Sequence, residues 1–137
     1  MSDSLSDLQT LIASRINAAA DLAALTVVSE TDGSAEVALD TAIAADGVGA
    51  IVLFPDLESG APRDAAKAIF TVVVKELVED RSFAKDSAEV ALQIFNQFRK
   101  WQPSAVWQTV QNLRMTTLQV EPCILREVTG ETGIFLN

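Results

Sequence analysis

Histidine and tyrosine are absent from this 137-residue chain, and cysteine occurs once, as Cys123. Without histidine the chain cannot build Ser-His or Cys-His nucleophile pairs, histidine zinc ligands or a histidine acid/base catalyst. A single cysteine cannot form an internal disulfide, and a lone cysteine in an apolar stretch is typical of a small core residue, which is how we interpret Cys123. The sequence therefore lacks the parts of most hydrolase sites.

A long hydrophobic run is missing as well. The longest apolar stretch, GVGAIVLF at 47–54, is much shorter than the roughly 20 residues that cross a bilayer. The start of the chain, MSDSLSDLQ, has neither the basic region nor the apolar region of a signal peptide. We therefore expect no transmembrane segment, no signal peptide and no membrane partner.

Cations are scarce in the N-terminal half. Residues 1–62 contain Arg15 as their only cation against ten acids, whereas residues 63–137 balance nine cations with nine acids, which gives a net charge of −9. Nucleic-acid binding usually needs a basic patch that neutralises phosphates, so we expect no specific nucleic-acid binding. The acidic excess either keeps the protein soluble, which is the simpler interpretation, or forms an acidic face with a purpose.

Apolar residues are plentiful: they make up 49% of the chain, with a mean hydropathy of +0.25. A chain of this length fits one domain and buries roughly two thirds of the surface that it exposes when unfolded. So small a body cannot hide that much apolar surface inside itself, and part of it is expected to meet another subunit. The sequence therefore predicts one globular domain, residues 1–137, that self-associates.

Periodicity and turn signals predict an α+β fold: a mainly antiparallel sheet packed by an N-terminal amphipathic helix and a second long helix at about 87–101. Clusters of Gly, Pro, Asn and Asp between the apolar runs indicate the turns and loops. In chain order we predict a helix at 5–23, a strand at 24–30, a short helix at 34–46 between Ser34 and Gly47, a strand at 47–54 stopped by Pro55, an exposed loop at 56–64, a central strand at 66–79, the helix at 87–101, a strand at 112–122, and a final hairpin of strands 123–128 and 132–137 about the turn TGETG.

The stretch FNQFRKWQP, residues 95–103, could belong to a ligand cage, a nucleic-acid platform or the core. Phe95, Phe98 and Trp101 continue one helical stripe that starts at Val90, while the cations fall elsewhere on the helix. A nucleic-acid platform would place aromatics and cations on one face, and a cage would draw aromatics from several segments. We therefore predict that the aromatics pack in the core, on a helix that begins with a cap at Asp86.

Motifs for catalysis are weak. The acids of PDLES, Asp56 and Glu58, could bind a divalent ion or act as an acid/base pair, but solvated loop acids are the simpler interpretation. Ser82 and Lys85 form an S-x-x-K string without its companion motifs, and no phosphate-binding glycine loop is present. We therefore expect no catalytic residue, no metal site and no cofactor.

The order of these elements, with a long strand KAIFTVVVKELVEDRSF, the helix SAEVALQIFNQFRKWQP and a later strand pair through LQVEP, resembles the tail terminator (tail completion) proteins of long-tailed bacteriophages. The resemblance implies a non-enzymatic virion protein of the tail, assembled in the host cytoplasm, that forms a ring of six copies at the head-proximal end of the tail tube. Its implied partners are further copies of itself, the tail tube protein and a neck or head-completion protein, with DNA passing through the ring.

Other interpretations stay open. Neck connectors, tube subunits and baseplate adaptors have similar outlines. A small α+β dimer that binds an apolar ligand between its sheet and the helix of Phe95, Phe98 and Trp101 would share the same composition.

Candidate site residues follow from the ring hypothesis. Loops with cations and acids, together with large aromatics, suit subunit interfaces, and acids that border a channel would repel passing DNA. The interface candidates are Asp56, Leu57, Glu58, Arg63, Arg81, Phe83 and Trp107, and the channel candidates are Asp32, Glu36, Asp40 and Asp46.

Overall fold

The computed structural model describes residues 5–31, 33–59, 65–77, 86–120 and 123–135. This part of the chain folds as three α-helices, one short 3-10 helix and a six-stranded, mostly antiparallel sheet, so the predicted α+β class is confirmed. The elements are α1 (Leu5–Asn17), the 3-10 helix (Ala20–Leu22), β1 (Val27–Ser29), α2 (Ala35–Asp46), β2 (Val48–Val52), β3 (Asp56–Ser59), β4 (Ala65–Leu77), α3 (Ser87–Phe98), β5 (Gln111–Val120) and β6 (Cys123–Phe135).

The strand order is β1-β2-β4-β6-β5, and β3 also pairs with β4. β6 pairs along the whole of β4, whereas β2 pairs with residues 72–76 and β3 with residues 66–69 of the same strand. Because a strand has two edges, β2 and β3 must share the edge of β4 that faces away from β6. Among the described strands only β1 and β2 run parallel, and α2 connects them as the crossover that a parallel pair requires.

Strand β4 lies in the middle of the sheet, as the alternating sequence predicts. Phe70, Val72 and Val74 are fully buried on one face, and the neighbouring positions on the other face are half-buried. A strand that is at least partly buried on both faces has a mainly apolar sequence with few polar residues. The predicted strand extends to residue 79, and residues 78 and 79 lie outside the described part of the chain.

The main core lies between the sheet and the pair α1 and α3. Phe98 packs edge-on against Phe70, with ring centroids 5.2 Å apart, and Trp101 lies 5.5 Å from Phe98. Phe98 is fully buried, and Phe95 and Trp101 are partly buried against the same core. The interpretation of FNQFRKWQP as core packing is therefore confirmed.

The helix that carries these aromatics is shorter than predicted. It starts as expected, because the Asp86 carboxylate accepts a hydrogen bond from the Glu89 backbone N–H at 2.9 Å. It ends at Phe98 instead of Trp101, since Arg99 is extended and Lys100 has a left-handed φ of 57°. Trp101 thus folds back onto Phe98 from the following loop, and its ring is covered by the Arg15 guanidinium at 5.6 Å.

Helix α2 covers part of the opposite face. Its residues Ala35, Leu39 and Ile43 pack with Val28 in a second apolar cluster. The helix approaches β2 closely at Gly49, where an added Cβ would lie 2.9 Å from the Leu39 side chain. α2 packs on β1, β2 and β4, and no described helix covers β6 and β5 on this face. Hereafter, the uncovered face means this side of β6, of β5 and of residues 65–71 of β4, the part of β4 that does not pair with β2.

Of the two helices predicted in the first half, the first ends earlier than predicted and the second is confirmed. The helix predicted at 5–23 stops at Asn17, because the chain turns at Ala19 into a 3-10 turn that inserts Leu22 into the core. The predicted helix at 34–46 is confirmed, with Gly47 as its left-handed cap at φ 81°, although the Ser34 side chain makes no capping hydrogen bond.

The predicted exposed loop at 56–64 is wrong for its first four residues. Asp56–Ser59 is strand β3, paired antiparallel with Ala66–Ile69. β4 is 13 residues long and β2 covers only five of them, so the remaining edge of β4 can accept another strand. Residues 60–64 lie outside the described part of the chain.

The predicted hairpin about TGETG is also wrong. β6 runs without a turn from Cys123 to Phe135, and the hairpin partner of β6 is β5. The two glycines were interpreted as turn residues, but Gly130 serves close packing instead. A Cβ there would lie 2.7 Å from Cζ of Phe70. Tertiary packing thus overrides the local turn signal.

Candidate interaction surface

Strand β5 forms one edge of the sheet and is the longest exposed strand of the described chain. Nine of its ten residues are exposed, and Leu113 alone is half-buried. Three apolar side chains stand in solvent, Met115, Leu118 and Val120, with exposed fractions of 38, 55 and 48%. An edge strand presents unpaired backbone N–H and C=O groups, so β5 offers both hydrogen bonds and apolar contacts to a partner.

Only the beginning of β5 contacts the core of the described chain. Leu113 packs against the core, and its Cδ1 would lie 3.1 Å from a Cβ added at Gly130. A register shift between Gln111 and Arg114 bulges the strand at this point, and Asn112 takes a left-handed φ of 52°. Asparagine tolerates this conformation better than most residues. After the bulge, β5 extends beyond the core, and among the described strands it pairs with β6 alone.

A ladder of charges crosses the uncovered face from β3 to β5. Lys67 Nζ lies 3.6 Å from Glu58 Oε2 and 3.3 Å from Glu131 Oε1. Asn112 Nδ2 donates to the same Glu131 oxygen at 3.0 Å. The Asn112 hydrogen bond, followed by the Lys67 hydrogen bond and charge and the Arg114 charge, lowers the pKa of Glu131 against the opposing effect of burial. Glu131 therefore stays ionised at neutral pH and is unsuited to donate a proton.

A second polar network joins the start of α3 to the sheet. The buried carboxylate of Glu76 accepts hydrogen bonds from Ser87, through the backbone N–H at 3.0 Å and through the hydroxyl. Arg126 Nε donates to the Ser87 hydroxyl at 2.9 Å, and its Nη1 donates to Thr117 Oγ1 at 2.9 Å. Ser87 is fully buried, so its hydroxyl is not open to a substrate and the network is structural.

This polar network was not predicted from the sequence. The sequence feature that could have indicated the network is a charged residue, Glu76, at a position that continues the alternation of Phe70, Val72 and Val74. A carboxylate on a buried face needs partners. Which partners it finds depends on Ser87, eleven positions away, and on Arg126 of a neighbouring strand.

The predicted interface residues divide into three groups. Asp56, Leu57 and Glu58 lie on β3 and are exposed, Leu57 by 51%. The prediction of Trp107 as an intersubunit anchor is wrong, because its side chain is 1% exposed and packs inside the subunit core. Its indole Nε1 has no hydrogen-bond partner among the described residues. The other candidates, Arg63, Arg81 and Phe83, and the S-x-x-K string of Ser82 and Lys85, lie outside the described residues.

The channel candidates belong mainly to α2. Glu36 and Asp40 are exposed and Asp46 is half-buried at the end of the helix, while Asp32 lies outside the described residues. Asp40 Oδ1 is 3.9 Å from Lys75 Nζ, and because the Asp40 side chain is 73% exposed, this pair contributes little stability. α2 lies on the same side of the sheet as the uncovered face, and Asp40 approaches Lys75 of β4 on that side.

Within the described ranges, no three acids or cysteines gather in a group that could hold a metal ion. Cys123 is half-buried at the start of β6, so its interpretation as a core residue holds only in part. In the same part of the chain, no helix combines the length and the apolar character that crossing a bilayer requires.

Comparison with known proteins bears on the fold alone. No protein-family model matches the chain, and no curated protein sequence does. One solved structure, whose name states no function, aligns with a TM-score of 0.59 and 14% sequence identity over 96% of each chain. At that identity the similarity shows that the α+β architecture has been seen before, over almost the full length of both chains.

Proposed function

We propose that this protein is a non-enzymatic structural protein of a phage virion: a tail terminator that forms a ring at the head-proximal end of the tail tube and docks the neck. The observation that supports the proposal is strand β5, a ten-residue edge with Met115, Leu118 and Val120 exposed. This surface is suited to assembly, and self-assembly is the activity that a ring-forming protein must have.

An open edge of this kind is a hazard for a protein that works as a monomer. Monomeric proteins shorten such strands, place lysine or proline on them or cover them. β5 has one bulge and one charged side chain, Arg114, along ten residues. These protections are slight compared with the length of the edge, which favours a strand that is covered in the assembled state.

The alternative of an apolar-ligand module has less support. Its ligand would lie between the sheet and the helix of Phe95 and Phe98, but this space is filled by side chains. Phe98 is fully buried and contacts Phe70 edge-on. Neck connectors, tube subunits and baseplate adaptors would use the same exposed edge, so the place of the ring in the tail is what distinguishes them.

In the proposed ring, the uncovered face and α2 turn toward the channel. Glu36, Asp40 and Asp46 would then give the channel a negative wall along which DNA slides without binding. The partners are further copies of the chain, the tail tube protein and a neck or head-completion protein, and no cofactor is needed.

Native mass spectrometry and electron microscopy of the purified protein test the proposal. We expect a ring of six copies, formed either in solution at high micromolar concentration and low salt or on the ends of tail tubes assembled from the tail tube protein. Tubes polymerised in its presence should be capped and stop growing. A compact dimer, or a monomer that leaves tube growth unchanged, would contradict the terminator function.

A further inference from the structure

The sheet has free edges of opposite charge. β5 contains Arg114 and no acid, whereas β3 contains Asp56 and Glu58 and no cation. In a chain with a net charge of −9, two copies repel each other over most approaches. The edge of β5 is a surface where one copy can approach an acidic region of another without that repulsion.

Strand β3 has an edge available for such a contact. It forms a ladder with residues 66–69 of β4, and within the described residues it has no second ladder partner. The β1–β2 pairing stops at Ser29 and Val52, before β3 begins. The exposed Leu57 side chain adds apolar surface beside the two acids.

We propose that β5 of one copy pairs with the outer edge of β3 of the next copy, so that the sheet continues from subunit to subunit. Arg114 then meets Asp56 and Glu58 on one face of the continued sheet, and the exposed Met115 packs near Leu57 on the other. The inference rests on the proposed ring and names the strands that build it.

A second copy fits this edge better than an unrelated strand does, because both complementary edges occur on the same chain. Contact between two different edges is head-to-tail and can close into a ring. Pairing of β5 with β5 would be two-fold symmetric, would end at a dimer and would leave the acids of β3 unused.

Reciprocal charge reversal tests the contact. One variant carries Arg114→Glu, and the other carries Asp56→Arg together with Glu58→Arg. Each alone places like charges on the two facing edges, so each should need a roughly tenfold or higher concentration to assemble than the wild type. A mixture of the two restores opposite charges at every contact and should assemble as alternating copies, measured by native mass spectrometry.

Matched controls are Arg99→Glu on the loop after α3 and Asp21→Lys in the 3-10 helix, both at exposed positions outside the two edges. Arg99→Glu changes the net charge by −2, as Arg114→Glu does, and Asp21→Lys is combined with Glu89→Lys, also an exposed position, so that this control changes the net charge by +4, as the double reversal of β3 does. Both controls should assemble normally. Assembly of the Asp56→Arg, Glu58→Arg variant by itself, or failure of the mixture, would overturn the strand pairing while leaving a wild-type ring in place. A wild-type protein that never assembles, even on tail tubes, would remove the proposed function as well.

Discussion

Phe98 connects the second long helix to the sheet, and its role follows from two features of the sequence. The helical stripe from Val90 predicts that its ring faces the core, and the alternation of β4 predicts that Phe70 faces the same space. The structure brings the two rings edge-to-face at 5.2 Å. What the stripe did not predict is the helix end, because the left-handed Lys100 turns Trp101 back onto the core.

Replacing Phe98 by alanine should lower the free energy of unfolding by about 3–5 kcal/mol, since it removes a fully buried ring and leaves a cavity. Leu92→Ala is the matched control on the same helix, because Leu92 is 52% exposed and should cost much less. Thermal and urea melts measure both. A Phe98→Ala protein as stable as the wild type would contradict the core role.

Glu76 shows where sequence reasoning stops at the residue scale. Position 76 lies on the buried face by simple alternation, so a charged residue there signals a hidden polar partner. The partners, Ser87 and Arg126, come from α3 and β6. Side chains from three elements meet only once the chain is folded, and no local pattern encodes that meeting.

At the element scale, strand β6 is the clearest difference between prediction and structure. Gly130 and Gly133 in TGETG carry a strong local turn signal. The 13-residue partner strand β4 offers a continuous ladder, and both glycines lie within it without positive φ. The helices and the central strand were predictable because their periods extend over many residues, whereas a turn is inferred from only a few.

Gly130→Ala should therefore destabilise the fold by about 1–3 kcal/mol, because the new methyl group meets the Phe70 ring at 2.7 Å and Leu113 at 3.1 Å. Gly33→Ala is the control, since no heavy atom lies within 4 Å of a Cβ there. Chemical denaturation of the two variants compares them. An equal effect of both substitutions would mean that Gly130 is not tightly packed.

The edges of the sheet also depend on topology. The sequence predicts β5 as a strand, but its exposure follows from the order β1-β2-β4-β6-β5, which places it last. Asp56, Leu57 and Glu58 were predicted as exposed interface residues of a loop. The three residues are exposed, but they belong to a strand, and its pairing with β4 determines which face of the sheet each side chain is on.

At the scale of the whole molecule, the acidic excess of the N-terminal half was evident from the sequence, but its position in space was not. α2 carries Glu36, Asp40 and Asp46 on the side of the sheet that holds the uncovered face. The βαβ connection determines this side, since α2 must cross from β1 to β2 over one face. A charge bias along the sequence thereby becomes a negatively charged side of the subunit.

The last prediction concerns this negatively charged side. If the acids of α2 border the channel and repel DNA, changing Asp40 and Asp46 to lysine should leave the fold intact and create DNA binding that weakens steeply with added salt. Both positions tolerate lysine: Asp40 is exposed, and a cation at position 46 suits the negative end of α2. Asp21→Lys with Glu89→Lys is the control, because it makes the same change in net charge away from α2. Electrophoretic mobility shifts at low and high salt measure the binding of the assembled variants. If the α2 variant assembles and ignores DNA at low salt, or if both variants bind equally, the acids do not line the channel.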